Sequence, residues 1–269
     1  MNILCVGDVC GSIGCDFALR ALPLIKHKEH IDCCIVNGEN SADGNGITGS
    51  SADALFAAGA DIITGGNHTL KRREIFSRLD SDPSMTRPHN MTADAGSGYA
   101  VCDLGFTRVA VINLIGRVYM PEAGDPFSAA DRLVEKAKSD GIGIIVVDFH
   151  AEATSEKRVL AEYLDGRVSA VFGTHTHVAT ADECILKNGT GFITDIGMTG
   201  PIDSVLGVKT ELSLRKIRED ATVKFELANG PCRIDCVIFT INKATGKALT
   251  VKRLSVNEND LKTYGRINK

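Results

Sequence analysis

Short apolar runs and amphipathic stretches take turns along most of the chain. Residues 2–6 have the pattern of a buried strand, and residues 13–26 carry apolar positions at helical spacing, with Pro23 expected to end or kink that helix. An apolar run at 33–36 leads into a polar, glycine-rich loop over 37–50 and then a helix over 52–58. Residues 61–64 predict a third strand and 70–79 another helix. Strand signals return at 109–114 and 143–147, on either side of a helix over 128–138. A helix over 155–164 and a strand over 168–172 follow. Such alternation points to βαβ units and a mainly parallel sheet. Residues 80–105 interrupt it, with little periodicity, two prolines and three glycines, and predict a long irregular connection. Past residue 192 the period changes to two: 221–227, 233–241 and 248–254 alternate and predict antiparallel strands, the last pair joined by Asn242-Lys243-Ala244-Thr245-Gly246. No repeat, low-complexity tract or linker divides the chain, so one α/β domain over residues 1–269 is expected.

Composition narrows the class without naming a function. The 269 residues are 43% apolar and 24% charged, which excludes a disordered, collagenous or heptad-built chain. A chain of this length buries about three-quarters of its unfolded surface and folds without staples. The net charge of -4 argues against a dedicated nucleic-acid or anionic-membrane binder, and no apolar run approaches bilayer length. The first eight residues lack a basic segment and reach Asp8 before any apolar core forms, so no secretory signal is expected. Nine cysteines without a CxxC pair suit a reducing, cytoplasmic setting, with Cys33 and Cys34 as small core residues.

The informative residues stand at the strand ends, where open α/β sheets bind their ligands. Gly7-Asp8 follows the first predicted strand, Asn37-Gly38-Glu39-Asn40 the second and Gly65-Gly66-Asn67-His68 the third. Later strands run into Asp148-Phe149-His150 and Gly173-Thr174-His175-Thr176-His177. Singly, each has an ordinary reading: a turn, a helix cap, a hydrogen-bonded polar residue. Together they deliver four of the seven histidines with carboxylates and amides. That donor set suits borderline-to-hard metal ions, and the absence of thiolates argues against structural zinc. It exceeds what one ion takes while also binding substrate, so two ions sharing a carboxylate fit better. His175 and His177, two apart in extended chain, are expected to face the same way. Gly7, Gly11 and Gly14 superficially suggest a dinucleotide loop, but the first interval is wrong and the lysine of a phosphate-binding loop is missing.

In this order, the segments Gly7-Asp8, Gly38-Glu39-Asn40, Gly66-Asn67-His68, His150 and Thr174-His175-Thr176-His177 resemble the calcineurin-like metallophosphoesterases. Cys10 stands where that superfamily usually has a histidine, and Glu39-Asn40 where it has an aspartate. Both features are similar to the narrower YmdB-like phosphodiesterases, as are residues 148–157 and 194–201; His89 replaces a residue that is more often small. The resemblance implies a four-layer αββα sandwich with a dinuclear site. One ion would be held by Asp8, Glu39, Asn40 and His177, the other by Glu39, Asn67, His150 and His175, with Glu39 bridging. The ions would be Fe, Mn or both. It also implies hydrolysis of phosphodiesters, 2′,3′-cyclic nucleotides foremost and 3′,5′-cyclic ones secondarily, by in-line attack of a hydroxide between the ions. His68 is then the candidate general acid or hydrogen-bond donor to the phosphate. Asp148, Glu152 and Asp195 are candidates to fix the free nitrogen of a metal-binding imidazole. Arg87, His89, Asn90 and Arg117 are candidates for substrate contact, in or near the loops over 41–50 and 83–98 that would rim the site. The expected partner is a small phosphodiester, with no nucleic acid or membrane, and the resemblance suggests self-association. A metal-dependent phosphomonoesterase and a non-catalytic nucleotide-binding regulator are the alternatives.

Overall fold

A computed structural model describes residues 1–120, 123–220 and 222–264. Its thirteen strands form two sheets. The first contains β1 (Asn2–Val6), β2 (Asp8–Val9), β3 (Cys33–Asn37), β4 (Ile62–Thr64), β11 (Met198–Pro201), β12 (Cys232–Ile241) and β13 (Ala248–Asn257). The second contains β5 (Tyr99–Asp103), β6 (Arg108–Ile115), β7 (Ile144–His150), β8 (Ala170–Thr174), β9 (Cys184–Ile185) and β10 (Gly191–Ile193). Strands β1, β3 and β4 are parallel, as are β6, β7, β8 and β10. The late strand β12 lies antiparallel between β1 and β13, so the C-terminal hairpin extends the first sheet.

Period-two alternation explains the layering. Along β1, Ile3 and Cys5 enter the core between the sheets, while Leu4 and Val6 face the helices outside. Along β6, Val109 and Val111 face inward and Ala110, Ile112 and Leu114 outward. Strands buried on both faces read as continuous apolar runs. Helices α1 (Gly11–Lys28) and α2 (Gly49–Ala58) cover the first sheet, and α4 (Pro126–Ser139) and α5 (Thr154–Leu164) cover the second. This is the four-layer αββα sandwich that the resemblance implied. Cys33 and Cys34 sit in different cores, and all nine cysteines are free thiols.

Four expectations need correction. Helix α1 runs through Pro23 to Lys28; the carbonyl that Pro23 deprives of a donor belongs to Leu19, an exposed residue on the outer side of the helix. The helix expected over 70–79 is broken into 3₁₀ turns at Thr69–Lys71 and Arg73–Ile75 before a short α3 (Phe76–Ser81). Arg72 between the turns is extended, and its guanidinium donates to the carbonyls of Asp43 and Asn45, tying the segment to the neighbouring loop. The irregular span 80–105 contains β5, whose buried positions are the small residues Ala100 and Cys102. Of the strand expected over 221–227, Ala221 lies outside the described residues, and only Leu227 pairs, with Val208. Ahead of it lies an unanticipated helix, α6 (Thr210–Glu219), which buries only Ser213 and leaves its apolar Leu214 and Ile217 exposed rather than packed on the core. Helix α7 (Glu258–Tyr264) closes the described chain.

Candidate functional site

The two sheets bring their loops to one edge. Asp8 on β2, Glu39 and Asn40 after β3, and Asn67 and His68 after β4 come from the first sheet. His150 at the end of β7, with His175 and His177 after β8, comes from the second. Nitrogen and oxygen atoms of Glu39, His150 and His175 lie within 4.8 Å of one another. The two carboxylate oxygens of Glu39 face different neighbours. Oε1 accepts from Asn40 Nδ2 at 2.7 Å, while Oε2 accepts from the His68 amide at 2.8 Å and stands 3.4 Å from His150 Nε2. A Cβ on Gly66 would lie 2.3 Å from Glu39 Oε2 and 2.4 Å from His150 Nε2, so only glycine leaves this junction open.

Hydrogen bonds on the far side of each ring decide what faces the junction. His150 Nδ1 meets Thr174 Oγ1 at 2.9 Å, and Thr174 donates onward to Asp148 Oδ1 at 2.8 Å. The Thr174 hydroxyl therefore accepts from His150 Nδ1–H, leaving Nε2 a bare lone pair. His175 Nε2 faces Glu152 Oε2 at 3.0 Å, leaving Nδ1 bare, 3.1 Å from His150 Nε2. His177 Nδ1 donates to the Leu206 carbonyl at 3.1 Å, which leaves Nε2 toward Asp8 Oδ1 at 3.8 Å. Asn67 Nδ2 donates to His68 Nδ1 at 2.9 Å, so Asn67 Oδ1 confronts His150 Nε2 at 2.8 Å. Two acceptors at that separation call for a positive charge between or beside them.

Burial sharpens that demand. Asp8, Glu39, Asp148 and His150 are all buried. Asp8 Oδ1 and Asn40 Oδ1, both buried, have no hydrogen-bond partner among the described residues. Each such atom costs about 1–3 kcal/mol unless something satisfies it. Burial, with the neighbouring Asp8 charge, pushes the Glu39 carboxyl up to about 8. Burial also raises Asp8, and lifts Asp148 to about 7 against three hydrogen bonds. His150 and His175 are lowered by burial and so present neutral rings. His177 moves up against its burial, because Cys10, Asp8 and the Leu206 carbonyl favour its charged form. Orphaned oxygens, crowded carboxylates and bare imidazole nitrogens are the donor set that metal cations take.

The loop carrying His175 and His177 departs from the extended chain expected for it. Both residues have left-handed φ, 102° and 62°, a conformation costing about 1–3 kcal/mol at each non-glycine position. Asp8 Oδ2 accepts from the His175 amide at 3.1 Å and Asp195 Oδ2 from the Thr176 amide at 3.2 Å. Asp195 is in turn paired with buried Lys157 at 2.6 Å. Asp195, expected from sequence to fix an imidazole nitrogen, instead anchors backbone and has no such nitrogen as a partner among the described residues; Asp148 acts on His150 through Thr174, and Glu152 touches His175 directly.

Comparison with known proteins gives the same direction. A family model described as YmdB-like protein matches residues 4–254. The chain belongs to the YmdB-like family. A Bacillus subtilis relative named 2′,3′-cyclic-nucleotide 2′-phosphodiesterase is 43% identical over 97% of this chain and 99% of its own. Two solved structures share the whole fold. A hypothetical protein from Thermus thermophilus is 36% identical, with a TM-score of 0.90 over 96% of this chain and 100% of its own. A protein from Mycoplasma pneumoniae described as a novel phosphatase is 32% identical, with a TM-score of 0.89 over 97% and 96%. This YmdB-like chain is a hydrolase of the metallophosphoesterase type. Among the described residues no helix is long and apolar enough to cross a membrane.

A cleft of about 710 Å³ opens beside the junction and includes Glu39, Asn40, His68, Glu152, His175 and His177 in its lining. None of the four residues expected to touch substrate lines it. The Arg87 guanidinium is spent on five carbonyls of its own loop: Pro88, His89, Met91, Ala93 and Ala95. Asn90 is spent on Ile115 and Gly124, His89 is half-buried against Gly98, and Arg117 is exposed with its amide on Glu156. Sequence reasoning missed Lys157 and Thr174. Lys157 stands on the apolar face of α5 with Leu160, Ala161 and Leu164, and a lysine in that register was the available sign of a buried pair.

Proposed function

We propose that this YmdB-like enzyme is a metal-dependent phosphodiesterase that opens 2′,3′-cyclic nucleotides at the 2′ P–O bond, adding water to give the 3′-phosphate. One observation carries the metal part: Glu39 turns its two oxygens toward two separate donor sets, and the orphaned Asp8 and Asn40 oxygens belong to one of them. Asp8, Glu39, Asn40 and His177 would hold one ion, and Glu39, Asn67, His150 and His175 the other. The imidazole, carboxylate and amide donors suit iron or manganese. Bound ions would supply a nucleophile from water near neutral pH and neutralise the non-bridging phosphoryl oxygens. The substrate part rests on the resemblance of the whole chain to the Bacillus subtilis enzyme.

The chain's own residues set the geometry for this chemistry. His68 accepts at Nδ1 from Asn67, so its proton is on Nε2. Burial, followed by Lys71, pushes the ring down to about 4, which keeps it neutral. We assign it as a hydrogen-bond donor to a phosphoryl oxygen, where charge develops in the transition state. Asp148 with Thr174, Glu152 and the Leu206 carbonyl fix the rings of His150, His175 and His177 in turn.

The test pairs metal analysis of purified protein with kcat/KM on 2′,3′-cAMP, 3′,5′-cAMP and a phosphomonoester. About two metal equivalents and a clear preference for the 2′,3′-cyclic diester are expected. Preference for the monoester would replace the diesterase reading, and full activity after complete metal removal would end the metal-dependent one.

A further inference from the structure

The cleft is larger and more apolar than a phosphodiester requires. Its volume of about 710 Å³ falls in the range that takes a whole nucleotide-sized ligand. Beyond the polar residues at the junction, it is lined by Leu206, Val208, Phe225 and Leu227, with Lys71 and Lys224 among them. All four apolar residues lie in the described residues over 202–220 and 222–228, a strap between β11 and β12. Phe225 is 46% exposed and Leu206 47% exposed, an unusual use of large apolar side chains at the mouth of a charged site.

We propose that Phe225 and Leu227 form the platform for the substrate's nucleobase, making this strap the specificity element of the enzyme. The inference rests on the phosphodiesterase reading above and names the residues that choose its substrate.

The strap is built to present those two side chains. Its neck is pinned by backbone bonds from Lys209 to Glu226 and from Ala228 to Gly207, and by the Lys209–Glu226 ion pair at 2.6 Å. Leu227 rests over Gly11 at the start of α1, where an added Cβ would come within 2.0 Å of its Cδ1. Lys216 of α6 stands 5.8 Å from the centre of the Phe225 ring and braces it from within the strap. An aromatic face is the common platform for a base, because every base has a π surface, and nearby ammonium groups suit base carbonyls and phosphate oxygens. A purely aliphatic wall would suit an acyl chain instead. The strap also reaches the chemistry, since the Leu206 carbonyl accepts from His177 Nδ1.

The decisive measurement compares 2′,3′-cAMP with base-free ribose 2′,3′-cyclic phosphate and with an acyl-chain glycerophosphodiester, in the wild-type holoenzyme, F225A, L227A and F225Y. The wild type should favour 2′,3′-cAMP over the base-free ester by about a hundredfold, and F225A should cut that ratio to about tenfold through KM for 2′,3′-cAMP. L227A should cut it less, and F225Y should restore it. Equal wild-type rates on the two cyclic esters would overturn the platform and leave the phosphodiesterase standing. So would a ratio unchanged in F225A while both rates fall together, the mark of a merely structural role. Faster turnover of the acyl diester would reassign the wall to lipid. Failure to cleave either cyclic ester would overturn the phosphodiesterase reading and the platform with it.

Discussion

The strand-end donors and the strap face each other across one cleft and are built on opposite principles. Asp8, Glu39 and His150 are at most 1% exposed and are held from both sheets at once. The strained backbone at His175 and His177 persists because Asp8 and Asp195 both clamp it. The strap contributes almost nothing to the core: α6 buries only Ser213, and Ile217 is 83% exposed. Chemistry that needs fixed distances is placed where packing over-determines position, whereas discrimination is placed where substitution leaves the core intact. The same division tells which changes should destroy the molecule and which should retune it.

The hardest blow to the rigid side is Glu39→Ala, which removes the carboxylate shared by the two donor sets. It should strip both ions and abolish turnover, and retention of two equivalents by elemental analysis would break the bridging assignment. His68→Ala should keep both ions while lowering kcat on 2′,3′-cAMP by about 10²–10³, the scale for one donor aimed at developing charge. Metal loss in parallel with activity would move His68 to a supporting role. Lys157→Met leaves Asp195 buried and unpaired, and should cost about 3–5 kcal/mol in denaturant unfolding. A loss below about 1 kcal/mol would show that the pair does not clamp the histidine loop.

The pH response is subtler. In metal-free protein the folded Glu39 carboxyl titrates near 8 rather than at its ordinary 4.5, so the native chain binds more protons than the unfolded one across that interval. Below about 6.5 the lowered His68, His150 and His175 act in the opposite sense. Stability of chelated protein should therefore fall as pH rises from about 6.5 to 8, with Asp148 adding to the slope up to about 7. A melting temperature that is flat or rises over this range would contradict it. The smallest effect belongs to the strap: Ile217→Ser should change stability by no more than about 0.5 kcal/mol. A larger loss would mean that the strap is packed more firmly than its exposure indicates.

Legibility in the sequence follows the same division. The doubly buried strands and the residues ending them stand out because a continuous apolar run followed by Asp, Glu, Asn or His is a local pattern. Asn40, Asn67 and His150 come together in space because parallel strands deliver their carboxyl ends to one edge. The strap was misread as a strand at 221–227 because its apolar residues serve a cleft rather than a sheet. Arg87 and Asn90, candidates for substrate contact in the sequence, bond backbone carbonyls instead of lining the cleft, because a polar side chain in a long loop carries no mark telling which of the two it does. The fixing of each imidazole by Thr174, Glu152 or the Leu206 carbonyl is a tertiary fact, and only Glu152 had been singled out for direct contact.

The single bond from His177 to the Leu206 carbonyl has a thermodynamic consequence. It joins the strap proposed to seat the base to a histidine proposed to hold an ion, so on those readings the two binding events would be linked functions. Whatever factor a seated nucleotide gains for the affinity of that ion, the ion must return to the nucleotide.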